Sequence, residues 1–229
     1  NIVNLVKENS ENFNFLKSVL MVSTDKACLP INVYGMCKAI GERVITSDIS
    51  KESKIKFITV RYGNVLESRG SIIPLFKYQC ENKENITLTH SDMTRYVMTL
   101  DQSVDLIQTA LLYGSSGETW VPSLKSMKIL DLAEIFSEMY DKKIKVVGMR
   151  PGEKLHEDLI SKNESLRCRK QSGYYAILPS YTSPFNKLDY SMNSSKNLMT
   201  KYELKKYLEK LGILSKPLSS FTGKTIEEF

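Results

Sequence analysis

Histidine is nearly missing: the 229 residues hold only His90 and His156. A metal centre built on imidazoles is thereby excluded, and no metal-ligating residue is expected. The four cysteines, Cys28, Cys37, Cys80 and Cys168, follow neither a zinc-site spacing nor a disulfide framework in so long a chain. Reduced, mostly buried thiols fit that usage and point to a cytoplasmic protein. No apolar run approaches the roughly 18 residues of a transmembrane helix, and no signal peptide is visible, so no membrane partner is expected. No basic run is interleaved with aromatics, so nucleic acid is not expected as a partner either. Internal repeats and low-complexity tracts are also absent. One further absence cuts two ways. A Gly-x-Gly-x-x-Gly fingerprint is nowhere in the sequence, which either excludes a dinucleotide or places the first half of its binding sheet before Asn1. The chain opens inside what reads as a helix in mid-domain, and that favours the second.

What is present is ordinary in amount and ordered in arrangement. The net charge of +6 is spread along the chain, which describes a solvated surface with some attraction for an anionic ligand. Apolar spacing predicts a helix from Ile2 that loses order around Ser10 to Phe13. Ser18 to Ser23 is an apolar run ending in polar residues, as in a strand buried on both faces of a parallel sheet. Asn32 can cap a helix running through Tyr34, Lys38, Ile40 and Val44. Lys54 to Asn64 reads as the next strand and Ser71 to Lys83 as a short helix. Thr99 with Gln102 forms a capping-box pattern before a helix that ends near Gly114. Trp120 and Val121 suit a short strand. Ile129, Leu132, Ala133, Ile135, Phe136 and Met139 share one helical face, and Ile144 to Met149 reads as a strand. Arg150 to Leu159 follows as a turn into a short helix, and Tyr174 to Leu178 has strand potential. Thr200 with Glu203 opens a last helix whose stripe of Leu204, Tyr207, Leu208 and Leu211 is a packing face, closed by Gly212.

Strand and helix alternate early and then become irregular. That pattern predicts an α/β fold: the C-terminal half of a doubly wound parallel, Rossmann-like sheet, with a small mixed α/β substrate-binding region. Residues 1–123 are assigned to the Rossmann part, with substrate-binding segments interleaved at about 66–98. Residues 124–229 are assigned mainly to the substrate-binding region and the C-terminal helix.

The chemistry concentrates in "STDKACLPINVYGMCK", Ser23 to Lys38. In open α/β sheets ligands sit at the carboxyl ends of the strands, so the first strand delivers Thr24, Asp25 and Lys26 to that edge. Tyr34 and Lys38 are four apart and share a helical face. A nearby ammonium favours a tyrosinate, which can take the proton of a carbinol while hydride leaves the same carbon. Tyr-x-x-x-Lys by itself is weak, and an adjacent Asp-Lys pair is equally a surface ion pair of little energetic value. A loop arginine is suited to bidentate pyrophosphate contacts but is often only solvated.

Context adds to these residues. "STDKA…PINVYGMCKAIGE", "VRYGNVLESRGSIIPLF", "MTRYVMTLD", "SMKILDLAE" and "MRPGEKLHE" stand in order along the chain. Together they resemble the nucleotide-sugar 4,6-dehydratases of the extended short-chain dehydrogenase/reductase superfamily, and within them the soluble inverting UDP-N-acetylglucosamine 4,6-dehydratases. The resemblance covers roughly Asn1 to Ser161 and recurs more loosely to Gly212; the glycine-loop half of that family is not in the sequence. It implies Tyr34 as the base for oxidation at carbon 4, Lys38 as its tuner and a ligand of the nicotinamide ribose, and Thr24 as the residue orienting the 4-oxygen. It implies Asp25 as the acid for the departing 6-hydroxyl and Lys26 as the base at carbon 5. Val65 would line the nicotinamide pocket. Asn64, Ser71, Arg95, Arg150 and Glu153 would bind substrate, with Ser68, Arg69 and Ser71 opening a helix whose N-terminus favours an anion. His156 and Glu157 would be supports or ligands. The implied cofactor is NADP, with NAD possible, and the implied partners are a UDP-sugar and further copies of the chain in a homo-oligomer. A retaining dehydratase or a UDP-sugar 4-epimerase would share Thr24, Tyr34 and Lys38, and a non-catalytic nucleotide-sugar-binding fragment is the alternative from another class.

Overall fold

The computed structural model describes residues 2–47, 54–68, 70–181 and 191–221. Along the chain, α1 (Ile2–Glu8) and a single 3-10 turn precede β1 (Ser18–Val22). α2 (Val33–Ile45) begins where the Asn32 side chain accepts from the Gly35 amide at 2.8 Å, the cap that the sequence predicts. Next come β2 (Lys56–Val60), β3 (Asn64–Val65), α3 (Ile72–Asn82), β4 (Asn85–Leu88) and β5 (Thr94–Met98). α4 (Leu100–Tyr113), β6 (Thr119–Pro122), β7 (Lys125–Lys128), α5 (Ile129–Tyr140) and β8 (Lys143–Val146) follow. The chain continues through β9 (Asp158–Ile160), α6 (Lys162–Ser165), β10 (Cys168–Gln171), β11 (Tyr174–Ile177), β12 (Met192–Asn193) and α7 (Lys201–Lys210).

These elements sort into two compact units. The first comprises Asn1–Tyr62, Asp101–Ser123 and Asp158–Asn193. Its five-stranded sheet has the order β1-β2-β6-β11-β10. β1, β2 and β6 run parallel, with Val22 opposite Val60 and Val60 opposite Trp120. Burial on both faces is visible within β2, whose side chains alternate. Ile58 and Val60 pack with Leu106 and Ala110 of α4, while Phe57 packs with Val3 and Val6 of α1 and Ile45 of α2. Helices thus cover both faces, which is why β2 reads as a continuous apolar run rather than an alternating one. β11 and β10 extend the sheet antiparallel, with Ala176 opposite Trp120. β12 pairs with β9.

The second unit comprises Gly63–Leu100, Leu124–Glu157 and Ser194–Phe229. It holds a three-stranded sheet, β3-β5-β7, and a parallel pair, β4 and β8. Its core is helical: Ile73, Phe76, Leu132, Phe136, Leu204 and Leu208 form one cluster, with Phe76 and Phe136 edge to face at 6.1 Å. The Thr200–Glu203 capping box is formed, and Gly212 leaves α7 at φ +67°. Lys77 is fully buried on α3. Burial pushes its ammonium down, and its Nζ donates to the carbonyls of Leu214 and Lys216.

Three local expectations are corrected. Asn64 and Val65 do not extend β2; they form β3, paired with β5 at Val97 and Met98. Arg150 to Leu159 does not enter a helix. It turns at Pro151 and Gly152, Leu155 accepts from the Thr94 amide at 3.0 Å, and Asp158–Ile160 becomes β9 through its pairing with β12. Met139 shares the face of Leu132, seven residues before it, but is exposed there, in the last turn of α5. No helix among the described residues is long and apolar enough to cross a membrane, and Cys28, Cys37, Cys80 and Cys168 are free thiols.

Candidate active site

The turn after β1 is built around a buried carboxylate. Thr24 caps one 3-10 turn, Asp25–Ala27. Its hydroxyl donates to Asp25 Oδ1 at 2.9 Å, and Lys26 Nζ reaches the same oxygen at 3.0 Å. Asp25 is 0 % exposed, yet its Oδ2 has no hydrogen-bond partner among the described residues. A buried acceptor left open at a strand end invites a donor from a ligand.

α2 starts directly beside this turn. A Cβ on Gly35 would lie 2.3 Å from the Lys26 carbonyl oxygen, so only glycine lets the first turn of the helix come so close. Tyr34, next to it, is 54 % exposed. Lys38 lies one turn on, with Nζ 5.9 Å from the centroid of the Tyr34 ring and donating to the Val22 carbonyl at 3.2 Å. Tyr62 closes the group from below: its carbonyl accepts from the Asp25 amide at 3.0 Å. Burial, and then the charge of Tyr34, push its phenol up. Thr24, Asp25, Lys26, Tyr34 and Lys38 are therefore brought together within the first unit. Sequence reasoning missed Gly35 and Tyr62. The Tyr-Gly pair that opens a predicted helix was the available signal for the first; nothing marked the second.

The second unit gathers another set. Asn64, Val65, Ser71, Arg95, Arg150 and Glu153 all line one cavity of about 250 Å³. Its apolar wall, including Leu88, Met93 and Val147, was not marked in the sequence. Asn64 Oδ1 and Ser71 Oγ are buried without a partner among the described residues. Ser71 is the N-cap of α3 but makes no capping bond with its side chain, which leaves its hydroxyl for a ligand. Arg95 is buried and held by the carbonyls of Thr94 at 2.8 Å and Leu155 at 3.3 Å. Its other nitrogens stand 3.9 Å from Glu153 and from Glu157. The exposed Arg150 opens a turn in which Glu153 accepts its amide at 3.2 Å and Gly152 takes φ +76°. His156 sits behind, its Nδ1 2.8 Å from the Thr94 hydroxyl, and the Glu157 amide donates to Ser194. Arg69 lies outside the described residues. Two arginines and two unsatisfied hydrogen-bonding groups around an apolar cavity suit an anionic ligand with an organic body.

Parallel strands carrying their polar residues at the carboxyl edge, with a Tyr and a Lys one helical turn apart, define a Rossmann-like α/β protein of the short-chain dehydrogenase/reductase kind. The chain belongs to the polysaccharide biosynthesis protein family, which matches residues 3–179. An inverting UDP-N-acetylglucosamine 4,6-dehydratase of Campylobacter jejuni is 36% identical over 184 residues, covering 79% of this chain and 54% of the relative. A UDP-glucose 4-epimerase of Rickettsia bellii is 38% identical over 168 residues, covering 72% of this chain and 49% of the relative. This chain thus spans about half the length of these curated relatives. The X-ray structure of Pen from Bacillus thuringiensis superposes with a TM-score of 0.82 at 29% identity, covering 93% of this chain and 67% of that one.

Proposed function

We propose that the protein is a nucleotide-sugar 4,6-dehydratase that converts UDP-N-acetylglucosamine into a UDP-4-keto-6-deoxy-N-acetylhexosamine with inversion at carbon 5. The observation that carries this reading is the Thr24–Asp25–Lys26 turn, where one buried carboxylate is shared by a hydroxyl and an ammonium and keeps one oxygen open. An oxidation alone needs only a phenol and its lysine; a water elimination needs an acid and a base as well.

Tyr34 takes the proton of the 4-hydroxyl, while Thr24 holds that oxygen. A nicotinamide cofactor, NADP or NAD, would supply the hydride acceptor that oxidation at carbon 4 needs and the hydride that carbon 6 takes up. Tyr34 and Lys38 fit the nicotinamide end of such a group: the phenol is accessible and the ammonium stands within 5.9 Å of its ring. The 4-ketone makes the carbon-5 hydrogen acidic. Lys26, as an amine, removes it, and Asp25, as a carboxylic acid, protonates the 6-oxygen so that it leaves as water. A lysine serves as base only when neutral. Lys26 Nζ stands 3.0 Å from Asp25 Oδ1, close enough for a proton to pass directly between the two groups. Asn64, Ser71, Arg95, Arg150 and Glu153 hold the nucleoside diphosphate: the arginines on the pyrophosphate, Glu153 on the ribose hydroxyls.

The test is the product of the full chain with cofactor and UDP-N-acetylglucosamine in heavy water. Loss of one water, one deuterium at carbon 5 and the L-arabino configuration are expected. The epimerase reading, supported by the relative at 38% identity, requires a product of unchanged mass, and the D-xylo product would replace inversion by retention. An oxidised sugar with stoichiometric reduced cofactor rejects both readings.

A further inference from the structure

Beneath the catalytic turn lies a buried ion cluster that the mechanism above does not use. Arg61, just past β2, is 2 % exposed. Its Nε and one terminal nitrogen meet Glu42 at 3.0 and 2.5 Å. Its two terminal nitrogens meet Glu164 at 3.1 and 3.0 Å, and one also reaches the Leu159 carbonyl at 2.8 Å. Such a fork, with both carboxylates docked against it, has little freedom to turn. Glu42 spends its remaining capacity on Ser23, whose hydroxyl donates to Oε1 at 2.5 Å. Ser23 is in turn held by its amide on the Val60 carbonyl at 2.7 Å.

The spacing on α2 gives this cluster a purpose. Tyr34, Lys38 and Glu42 stand four residues apart, one helical turn after another on one side of the helix. Lys38 donates to the carbonyl of Val22, and Glu42 accepts from Ser23. Consecutive turns of α2 thus grip consecutive residues at the end of β1, directly before Thr24. The close approach of Gly35 to the Lys26 carbonyl completes a third point of registration. A surface ion pair would not require five donated hydrogen bonds in a dry interior, where the desolvation cost is high.

We propose that Ser23, Glu42 and Arg61 are positioning residues that lock α2 to the end of β1 and thereby set Tyr34 and Lys38 against Thr24, Asp25 and Lys26. This rests on the proposed function of that turn. All three are buried, and they act through the backbone of Val22 to Lys26 and through the axis of α2. Ser23 is the sharpest probe, because its hydroxyl adds registration and little else.

The test compares Ser23→Ala and Arg61→Lys with the full chain, using Arg169→Lys as a control. Arg169 also forms an ion pair in the same unit, with Glu118 at 2.7 Å, and its guanidinium stands 5.7 Å from the Trp120 ring centroid. Three quantities are measured: UDP affinity, the single-turnover rate of hydride transfer per folded protein, and amide hydrogen exchange over residues 23–28 with no ligand present. For Ser23→Ala and Arg61→Lys, UDP affinity is expected to stay within about twofold while hydride transfer slows by roughly tenfold to a hundredfold. Amides of the 23–28 turn are expected to exchange faster. Arg169→Lys is expected to lower stability and leave the per-molecule rate and the turn's exchange unchanged. Wild-type rates and exchange in both cluster variants overturn the positioning role, as does an equal slowing in the control. No hydride transfer in the unmodified protein rejects the proposed function instead, with the exchange result still judging the registration.

Discussion

Tyr34 stands half exposed at the second position of a helix, with an ammonium 5.9 Å from its ring. A phenol in that setting can give or take a proton without unfolding anything around it. Tyr34→Phe is therefore expected to remove hydride transfer by at least about a hundredfold while leaving UDP affinity and stability near those of the parent, read by stopped-flow absorbance and calorimetry. Near-normal turnover would make Tyr34 only a helix residue. Lys26 belongs to a later step. Lys26→Ala keeps the phenol and its lysine, so oxidation at carbon 4 should proceed and water loss should stop. The signature is reduced cofactor accumulating on the enzyme with no deuterium entering carbon 5. Loss of both steps together would show that Lys26 holds Asp25 in place rather than acting as base. Arg150 lines the cavity, and a pyrophosphate contact there, as proposed, would be the same before and during the reaction. Its replacement by Ala should raise KM with kcat little changed, and an unchanged KM removes it from the pocket.

Elements carry these residues to their places, and Gly35 shows how little tolerance there is. Its missing side chain admits the Lys26 carbonyl at 2.3 Å from where a Cβ would be. Gly35→Ala favours the helix by propensity but forces its first turn away from the catalytic turn, with an overpacking cost of about 1–3 kcal/mol. Denaturant unfolding and the hydride-transfer rate should both fall; a more stable, fully active variant would mean that the turn gives way freely. Much at this scale was legible beforehand because it is encoded locally. Asn32 and the Thr200–Glu203 box announce their helices by side-chain capping, and the apolar run of Ser18–Val22 announces a strand covered on both sides. What was not legible is set by partners far along the chain. Leu155 bonds with Thr94, and so the segment after Pro151 becomes extended although its residues tolerate a helix. Asn64 and Val65 pair with Val97 and Met98, a choice that no window around them displays. The residues proposed for catalysis were easier to single out than the cavity wall for the same reason. Thr24 to Lys38 is one continuous stretch, whereas Leu88, Met93 and Val147 are ordinary apolar residues until the fold brings them together.

At the scale of the molecule, the Arg61 cluster couples stability to acid. Its members come from distant parts of the sequence, with Glu42 and Glu164 separated from Arg61 by 19 and 103 positions, so no local pattern marks them. Burial alone would raise the Glu164 carboxyl. The charge of Arg61, its hydrogen bonds and those of Ser161 more than reverse this and bring it from 4.5 to about 2. A carboxylate lowered by folding contributes stability that is complete above about 4.5 and is lost as pH falls through about 2. At about 1.4 kcal/mol per pH unit, that contribution is on the order of 3 kcal/mol. Glu164→Gln has no such proton to bind. It also turns an amide donor toward groups that already donate, Arg61 and the Ser161 amide and hydroxyl, so it should be less stable at neutral pH by about 1–3 kcal/mol. The gap between parent and variant should then shrink as the pH drops from about 4.5 toward about 2, because only the parent loses its charged partner there. The single tryptophan, Trp120, is fully buried in β6 of the same unit's sheet. Its fluorescence during urea unfolding at a series of pH values reports the unit that holds the cluster. A gap that stays constant across this range would show that Glu164 keeps an ordinary carboxylate's affinity for protons.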